Sequence, residues 1–226
     1  MSPTEKIPLG AEAVDALLGG GIECDCITEL YGEGGSGKTN ICLQLSRNVV
    51  QSGKKVVYID TEGISLERYK QICGKHFEEA LKRTLFFKPY NIEEQDKNIA
   101  DAVKLVVAKK DEIGLLVLDS ATLHYRAELG MENDVDERGL LNRQLMRLAM
   151  LARKVECPVL ITTQVYTDSE KNALMPIGGY ILGTYARTIL FLKKKGIGRR
   201  AAVIIKHRSI PEGAEAEFEI FAGGVR

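Results

Sequence analysis

The chain has 226 residues, 45% of them hydrophobic, which is one ordinary domain with apolar mass enough for a full core. Its 31 Lys and Arg are matched by 31 Asp and Glu, so no global field draws in nucleic acid and any such contact needs a local patch. No apolar run reaches the length of a membrane span, the start lacks the apolar core of a signal peptide, and five scattered cysteines make no disulfide framework, so a soluble cytoplasmic protein is expected.

In chain order, Cys24 and Cys26 form only C-x-C, with no second pair to complete a zinc site, and are read as strand packing. Over 26–31 apolar and polar residues alternate as in a strand. Then comes Gly32-Glu33-Gly34-Gly35-Ser36-Gly37-Lys38-Thr39, the pattern G-x-x-x-x-G-K-[ST] of a phosphate-binding loop. Ile41, Leu45 and Val49 recur at helical spacing after it, and Gly53 marks the stop. Strand, loop and helix stand in the order the motif requires. The glycines let backbone N–H groups curl around phosphate oxygens, and the helix points its positive end at them. Lys38 is placed to reach the β- and γ-phosphates, Thr39 to ligate Mg²⁺, and Asn40 to follow on the first turn.

Further on, the periodicity predicts a strand over 56–60 and a helix over 65–77 with Ser65 as N-cap. A strand over 85–88 follows, then a helix over 93–109 whose stripe is Ile99, Ala102, Val103, Val106 and Val107. The run over 115–119 is a fully apolar strand ending in Asp119. A helix over 136–155 presents Leu141, Leu145, Leu148 and Ala152 on one face, and 158–164 is a buried strand ending in Gln164. Continuous apolar strands between helices imply an α/β fold, a mostly parallel twisted sheet with helices on both faces. From about residue 188 the pattern changes to strands over 188–192, 201–205 and 217–221 with Gly196-Ile197-Gly198 as a hairpin tip, a C-terminal antiparallel extension.

Ligands of a parallel sheet sit at the carboxyl ends of its strands. That puts Asp119 beside the phosphate loop as a second Mg²⁺ group, Glu62 on the neighbouring strand end as the group that orients water, and Gln164 within reach of a γ-phosphate. His76, His124 and His207 are too dispersed for a metal site; His124 reads as a loop histidine near the Asp119 strand. Lys193, Lys194, Lys195, Arg199, Arg200, Lys206, His207 and Arg208 surround the hairpin, a candidate sequence-independent DNA patch that would be salt-sensitive; a solvated basic turn is the alternative.

Taken together, Leu17-Leu18-Gly19-Gly20-Gly21-Ile22, the stretch 31–39, Tyr58-Ile59-Asp60-Thr61-Glu62-Gly63, Glu67-Arg68, Leu118-Asp119-Ser120, Thr163-Gln164-Val165, Pro176-Ile177-Gly178-Gly179 and Pro211-Glu212-Gly213 resemble the RecA/RadA recombinase family. The resemblance keeps its order over nearly the whole chain, and Lys206-His207-Arg208-Ser209 points to the family's short archaeal paralogues. It implies a single RecA-like P-loop ATPase domain over 1–226, binding ATP and Mg²⁺, in DNA repair and homologous recombination. By the same resemblance Glu62 activates water, Arg68 stacks on adenine, and Gln164 couples the γ-phosphate to a DNA loop. The family's two DNA loops map to 128–136 and 166–176. Implied partners are DNA, the main recombinase RadA and a Holliday-junction resolvase, with the protein a monomer or small homo-oligomer associated with the nucleoid.

Four departures argue against strand exchange itself. The chain begins at the ATPase core, and it lacks the linker Phe that docks on a neighbouring subunit. Its expected DNA loops are acidic, with Glu128, Glu132, Asp134 and Asp136 in the first and Asp168 and Glu170 against Lys171 in the second. Thr184 stands where strand-exchanging members have a histidine. A weak ATPase that assists the main recombinase is therefore the first expectation, ahead of a DNA-dependent strand-exchange enzyme and of a clock-type regulatory ATPase or kinase.

Overall fold

The computed structural model describes residues 5–128, 134–168 and 173–226. A short pair, β1 (Lys6–Ile7) and β2 (Ile22–Glu23), brackets α1 (Glu12–Leu17). The alternating part follows: β3 (Ile27–Tyr31), α2 (Lys38–Gln51), β4 (Lys55–Asp60), α3 (Leu66–Cys73), α4 (Phe77–Arg83), β5 (Thr84–Phe87), α5 (Ile92–Ala108), β6 (Ile113–Asp119), α6 (Leu123–Glu128), α7 (Asp134–Val155) and β7 (Val159–Thr163). Next come the antiparallel pair β8 (Val165–Asp168) and β9 (Ala173–Pro176), then α8 (Gly179–Tyr185). The chain closes with β10 (Ala186–Lys194), β11 (Arg199–Lys206), β12 (Glu215–Phe221) and β13 (Gly224–Val225).

One nine-stranded sheet carries the fold in the order β13-β12-β11-β10-β3-β7-β6-β4-β5. From β10 to β5 every neighbouring pair is parallel; from β10 to β13 every pair is antiparallel, as the change of pattern near residue 188 predicts. Successive strand residues point to opposite faces, and here both faces are covered. Val56, Tyr58, Leu115, Val117 and Leu160 face Ile41, Leu45 and Val49 of α2. Val57, Ile59, Leu116, Leu118 and Ile161 face Ile99 and Ala102 of α5 and Leu141, Leu145 and Leu148 of α7. The parallel strands therefore read as unbroken apolar runs.

The C-terminal strands run up to two residues past their expected ends, and the widest difference lies in the first helix after β4. The helix predicted over 65–77 ends at Cys73, because Gly74 (φ 55°) turns the chain out of helical geometry, and α4 starts at Phe77. At its other end Ser65 is the N-cap, its hydroxyl accepting from Arg68 N–H at 3.1 Å.

Candidate nucleotide-binding site

The phosphate loop joins β3 to α2. Gly35 (φ 75°) and Gly37 (φ 108°) hold left-handed conformations that a side chain would strain. Among the described residues no side chain caps α2, so its first N–H groups face the loop. The loop rests on the antiparallel extension. A Cβ on Gly32 would stand 2.5 Å from the Leu192 carbonyl oxygen, and one on Gly37 would meet Ile220 at 3.2 Å and Phe218 at 3.4 Å. Ser36 is fully buried, and its hydroxyl has no partner among the described residues. Glycines packed from beneath, bare helical N–H groups and an unpartnered buried hydroxyl fit a phosphate ligand.

Lys38 is buried, with Nζ donating to the carbonyls of Gly32 (2.7 Å) and Glu33 (3.1 Å). Burial pulls its pKa down, while Glu62 and Asp119 push it back up, so its charge is balanced by the two acids the sequence singled out. Asp119, 1% exposed, ends β6 as expected. Tyr58 donates its hydroxyl to Asp119 Oδ2 at 2.8 Å, and Thr162 donates to Oδ1. Burial raises the Asp119 pKa; the hydrogen bonds from Thr162, Tyr58 and Thr39 lower it. The Thr39 hydroxyl and the Asp119 carboxylate line the same cleft, an oxygen pair of the kind Mg²⁺ takes.

Glu62 is held over this pair by the end of β4. Thr61 accepts from Ser120 N–H (2.8 Å) and donates to Ser120 carbonyl oxygen (3.0 Å), fastening the end of β4 to the end of β6. Asp60 accepts from the N–H groups of Gly63 (2.8 Å) and Ile64 (2.9 Å), which makes the turn that lifts Glu62 out of the sheet. From the end of β7, Gln164 Nε2 donates to Glu62 Oε1 at 2.8 Å. Its backbone is fixed from both sides, by Ile177 N–H on its carbonyl (2.9 Å) and by Thr122 Oγ1 beneath its N–H (3.5 Å).

Thr39, Asn40, Glu62, Ser65, Arg68 and Asp119 border one cleft of about 370 Å³. Arg68 stands at its rim, donating to Asn40 Oδ1 (2.7 Å), Gln71 Oε1 (3.0 Å) and the carbonyls of Phe221 and Ala222 (2.8 Å each). Within β3 stands an acid that the strand pattern does not mark. Glu29, 1% exposed, accepts from Thr163 Oγ1 at 2.8 Å, beside Gln164. Burial pushes its pKa up to about 7, against the Thr163 hydrogen bond and Lys206. Tyr58, Thr61 and Thr163 fall within the motifs that carry the resemblance and Thr162 within an apolar strand, but nothing in their spacing marks them as partners of the acids.

The C-terminal basic residues do not gather with the loop as one group. Lys195 pairs with Glu215 (2.6 Å), Arg199 with Glu217, and Arg208 with Asp25 (2.8 Å). Lys206 Nζ donates to the carbonyls of Gly183 and Ala186 at the end of α8. His207 Nδ1 accepts from Ser209 N–H at 3.1 Å. Arg200 reaches the phosphate loop, with Nε and Nη2 on the Gly35 carbonyl oxygen at 3.0 and 2.8 Å. Lys193 and Lys194 are exposed and make no ion pair among the described residues. His124 Nε2 lies 3.1 Å from the Pro89 carbonyl oxygen, and Thr184 donates to Tyr180, so neither is directed at the cleft. Of the expected DNA loops, 129–133 and 169–172 lie outside the described residues; β8 and β9 flank the second.

The Rad51 family model matches residues 3–226. This chain belongs to the Rad51 family. It is 44% identical over 223 residues to the DNA repair and recombination protein RadB of Methanococcoides burtonii, covering 98% of each chain. It is 40% identical to the RadB of Thermoplasma acidophilum over 97% of this chain and 93% of that one. The crystal structure of the RadB recombinase matches with a TM-score of 0.82 at 39% identity, covering 97% of this chain and 98% of that chain. The expected likeness to the family's short archaeal branch and the expected RecA-like α/β core both hold. The role of the family, and with it of this chain, lies in DNA repair and recombination. Among the described residues no helix is long and apolar enough to cross a membrane.

Proposed function

We propose that this single RecA-like domain, residues 1–226, is an ATP-binding accessory protein of homologous recombination with a weak ATPase, working in the cytoplasm at the nucleoid. The observation that carries the reading is the hydrogen bond from Gln164 to Glu62, the acid that lines one cleft with Thr39 and Asp119 and whose charge acts on Lys38. A catalytic carboxylate and a γ-phosphate reporter in contact give one site both jobs.

Each side chain has a distinct part. The loop N–H groups and Lys38 bind the phosphates; Thr39 and Asp119 hold the ion; Arg68 and Asn40 border the base. MgATP, when bound, supplies the transferable phosphoryl group and the divalent charge that offsets its oxygens. Glu62 orients a water and takes its proton. The Gln164 amide has one favourable place on Glu62 and another on a phosphate oxygen. Its backbone is pinned while β8 starts at the next residue, so exchanging one acceptor for the other is felt in the β8–β9 segment.

Lys193 and Lys194 support sequence-independent DNA binding, since they are exposed and make no ion pair among the described residues, while Arg200 is engaged by the Gly35 carbonyl. The acidic 128–136 segment offers a phosphate backbone little, which supports assistance to RadA, or to a junction resolvase, over strand exchange. The test is the ATPase rate with and without single-stranded DNA, alongside sizing in solution. A slow rate that DNA changes little, from a monomer or small oligomer, is expected. Strong stimulation with filaments would replace this reading by a strand-exchange enzyme.

A further inference from the structure

Arg200 stands half-buried in the basic hairpin, and its guanidinium is engaged by backbone carbonyls rather than left free for a DNA contact. Nε and Nη2 both donate to the Gly35 carbonyl oxygen, at 3.0 and 2.8 Å, and Nη1 donates to the carbonyls of Gly196 (3.0 Å) and Arg199 (2.8 Å). One edge of the fork fills both lone pairs of a phosphate-loop carbonyl while the other nitrogen grips the hairpin tip. The strand register fixes this reach. Arg200 pairs with Lys194 on β10 and with Phe218 on β12, and Phe218 lies under Gly37 of the same loop.

We infer that Arg200 is a positioning residue for the phosphate loop, orienting the Gly35–Ser36 peptide so that its N–H is presented to an anion. The inference rests on the nucleotide-site reading above. In a trans peptide the carbonyl and the following N–H point in opposite directions. Arg200 holds the Gly35 carbonyl toward the hairpin, so the Ser36 N–H points the other way, where it closes a turn on the Glu33 carbonyl oxygen at 3.1 Å, a partner that an anion would replace. Gly35 has no side chain to oppose a flip of that peptide, and its φ of 75° leaves the conformation to be set from outside. The guanidinium is the side-chain group that fastens this carbonyl. The same contacts make the hairpin tip and the phosphate loop one body, so Lys193 and Lys194 keep a fixed relation to a bound nucleotide.

The experiment is titration of the full chain with a fluorescent ADP analogue and with MgATP, comparing the wild type with Arg200→Ala, Arg200→Lys and Lys38→Ala. Wild-type binding that Lys38→Ala weakens about a hundredfold establishes the site; no wild-type binding would sink the nucleotide reading itself, separately from the inference. Given binding, Arg200→Ala raises Kd and KM about tenfold, the scale of a lost charged hydrogen bond, with kcat at saturation nearly unchanged. Arg200→Lys keeps the charge and loses the fork, and recovers only a minor part. Full recovery by Arg200→Lys, or a loss that vanishes at high salt, would mean that charge alone acts and would overturn the inference; so would unaltered affinity in Arg200→Ala. If the alanine variant is poorly folded, amide exchange at Ser36 in Arg200→Lys decides. Faster exchange there, with α2 protected as in the wild type, supports the inference, and equal exchange refutes it.

Discussion

The carboxyl edge of the parallel strands and the antiparallel hairpin beside it hold most of the charges that the sequence singles out, and the fold treats them differently. At the carboxyl edge, Lys38, Glu62, Asp119 and Gln164 come from four elements and meet at one place. On the hairpin, eight basic positions within sixteen residues of sequence disperse. Lys195, Arg199 and Arg208 go to acids, Lys206 to a helix end, and Arg200 to the phosphate loop. A site whose chemistry rests on backbone N–H groups is set by local conformation, which glycine and a helix start dictate. A run of lysines specifies only charge, and cross-strand carboxylates compete for it.

The contrast breaks most readily at Glu62. Glu62→Gln keeps the size and removes the proton acceptor, so turnover should fall by about 10²–10⁴-fold while ATP affinity holds, as read by phosphate release and nucleotide titration. Normal turnover would move the base to another residue and leave the Gln164 contact without a catalytic partner. Next in size is Lys38→Ala. Its ammonium acts on the ligand, so nucleotide affinity should fall about a hundredfold with little change in melting temperature. Unchanged affinity would dissolve the carboxyl-edge site.

Glu29 sharpens the contrast from below, because it is an acid that the fold buries without a full counter-charge. Its pKa rises from near 4.5 to about 7. Between those values the folded chain keeps a proton that the unfolded chain has released, so the contribution of Glu29 to stability is most favourable below pH 4.5 and declines as pH climbs to about 7. The span corresponds to about 3 kcal/mol, an upper bound for what Glu29→Gln should restore at pH 8. Denaturant melts of both chains from pH 5 to 8 should diverge with rising pH. Parallel curves would mean that Glu29 titrates alike folded and unfolded.

How much was legible follows the same division. Apolar runs and helical stripes placed the parallel sheet, because burial on both faces writes itself into sequence, and the hairpin tip was marked by Gly196 and Gly198. Helix α8 was not foreseen: Gly178, Gly179 and Gly183 argue against a helix. It forms because Leu182 is buried, next to Leu141 across Gly178. In the site, Lys38 and Thr39 are marked by the phosphate-loop motif and Asp119 by its place at a strand end, whereas the roles of Glu62 and Gln164, just past the ends of β4 and β7, come mainly from the family resemblance. Their supports carry no mark of that role. Tyr58, Thr61 and Thr162 are good strand formers, and only the pairing of β4 with β6 and the placing of β7 turns their hydroxyls onto Asp119 and Ser120.

The smallest expected effect separates the hairpin charges from one another. Lys193 and Lys194 carry no ion pair among the described residues, whereas Lys195 and Arg199 face Glu215 and Glu217. A cation that meets a DNA phosphate releases counterions and adds about 1 to the slope of log affinity against log salt. One already held by a carboxylate must first give up that partner, and the acid left behind repels the phosphate. Reversing Lys193 and Lys194 to Glu should therefore lower the slope by about 2. Reversing Lys195 and Arg199 should lower it by less, while also loosening β11 from β12 by setting like charges against each other. Binding isotherms from low to high salt measure both. Equal slopes for the two pairs would show that the cross-strand acids do not shield their partners, and an unaltered slope in both would put the DNA on another face.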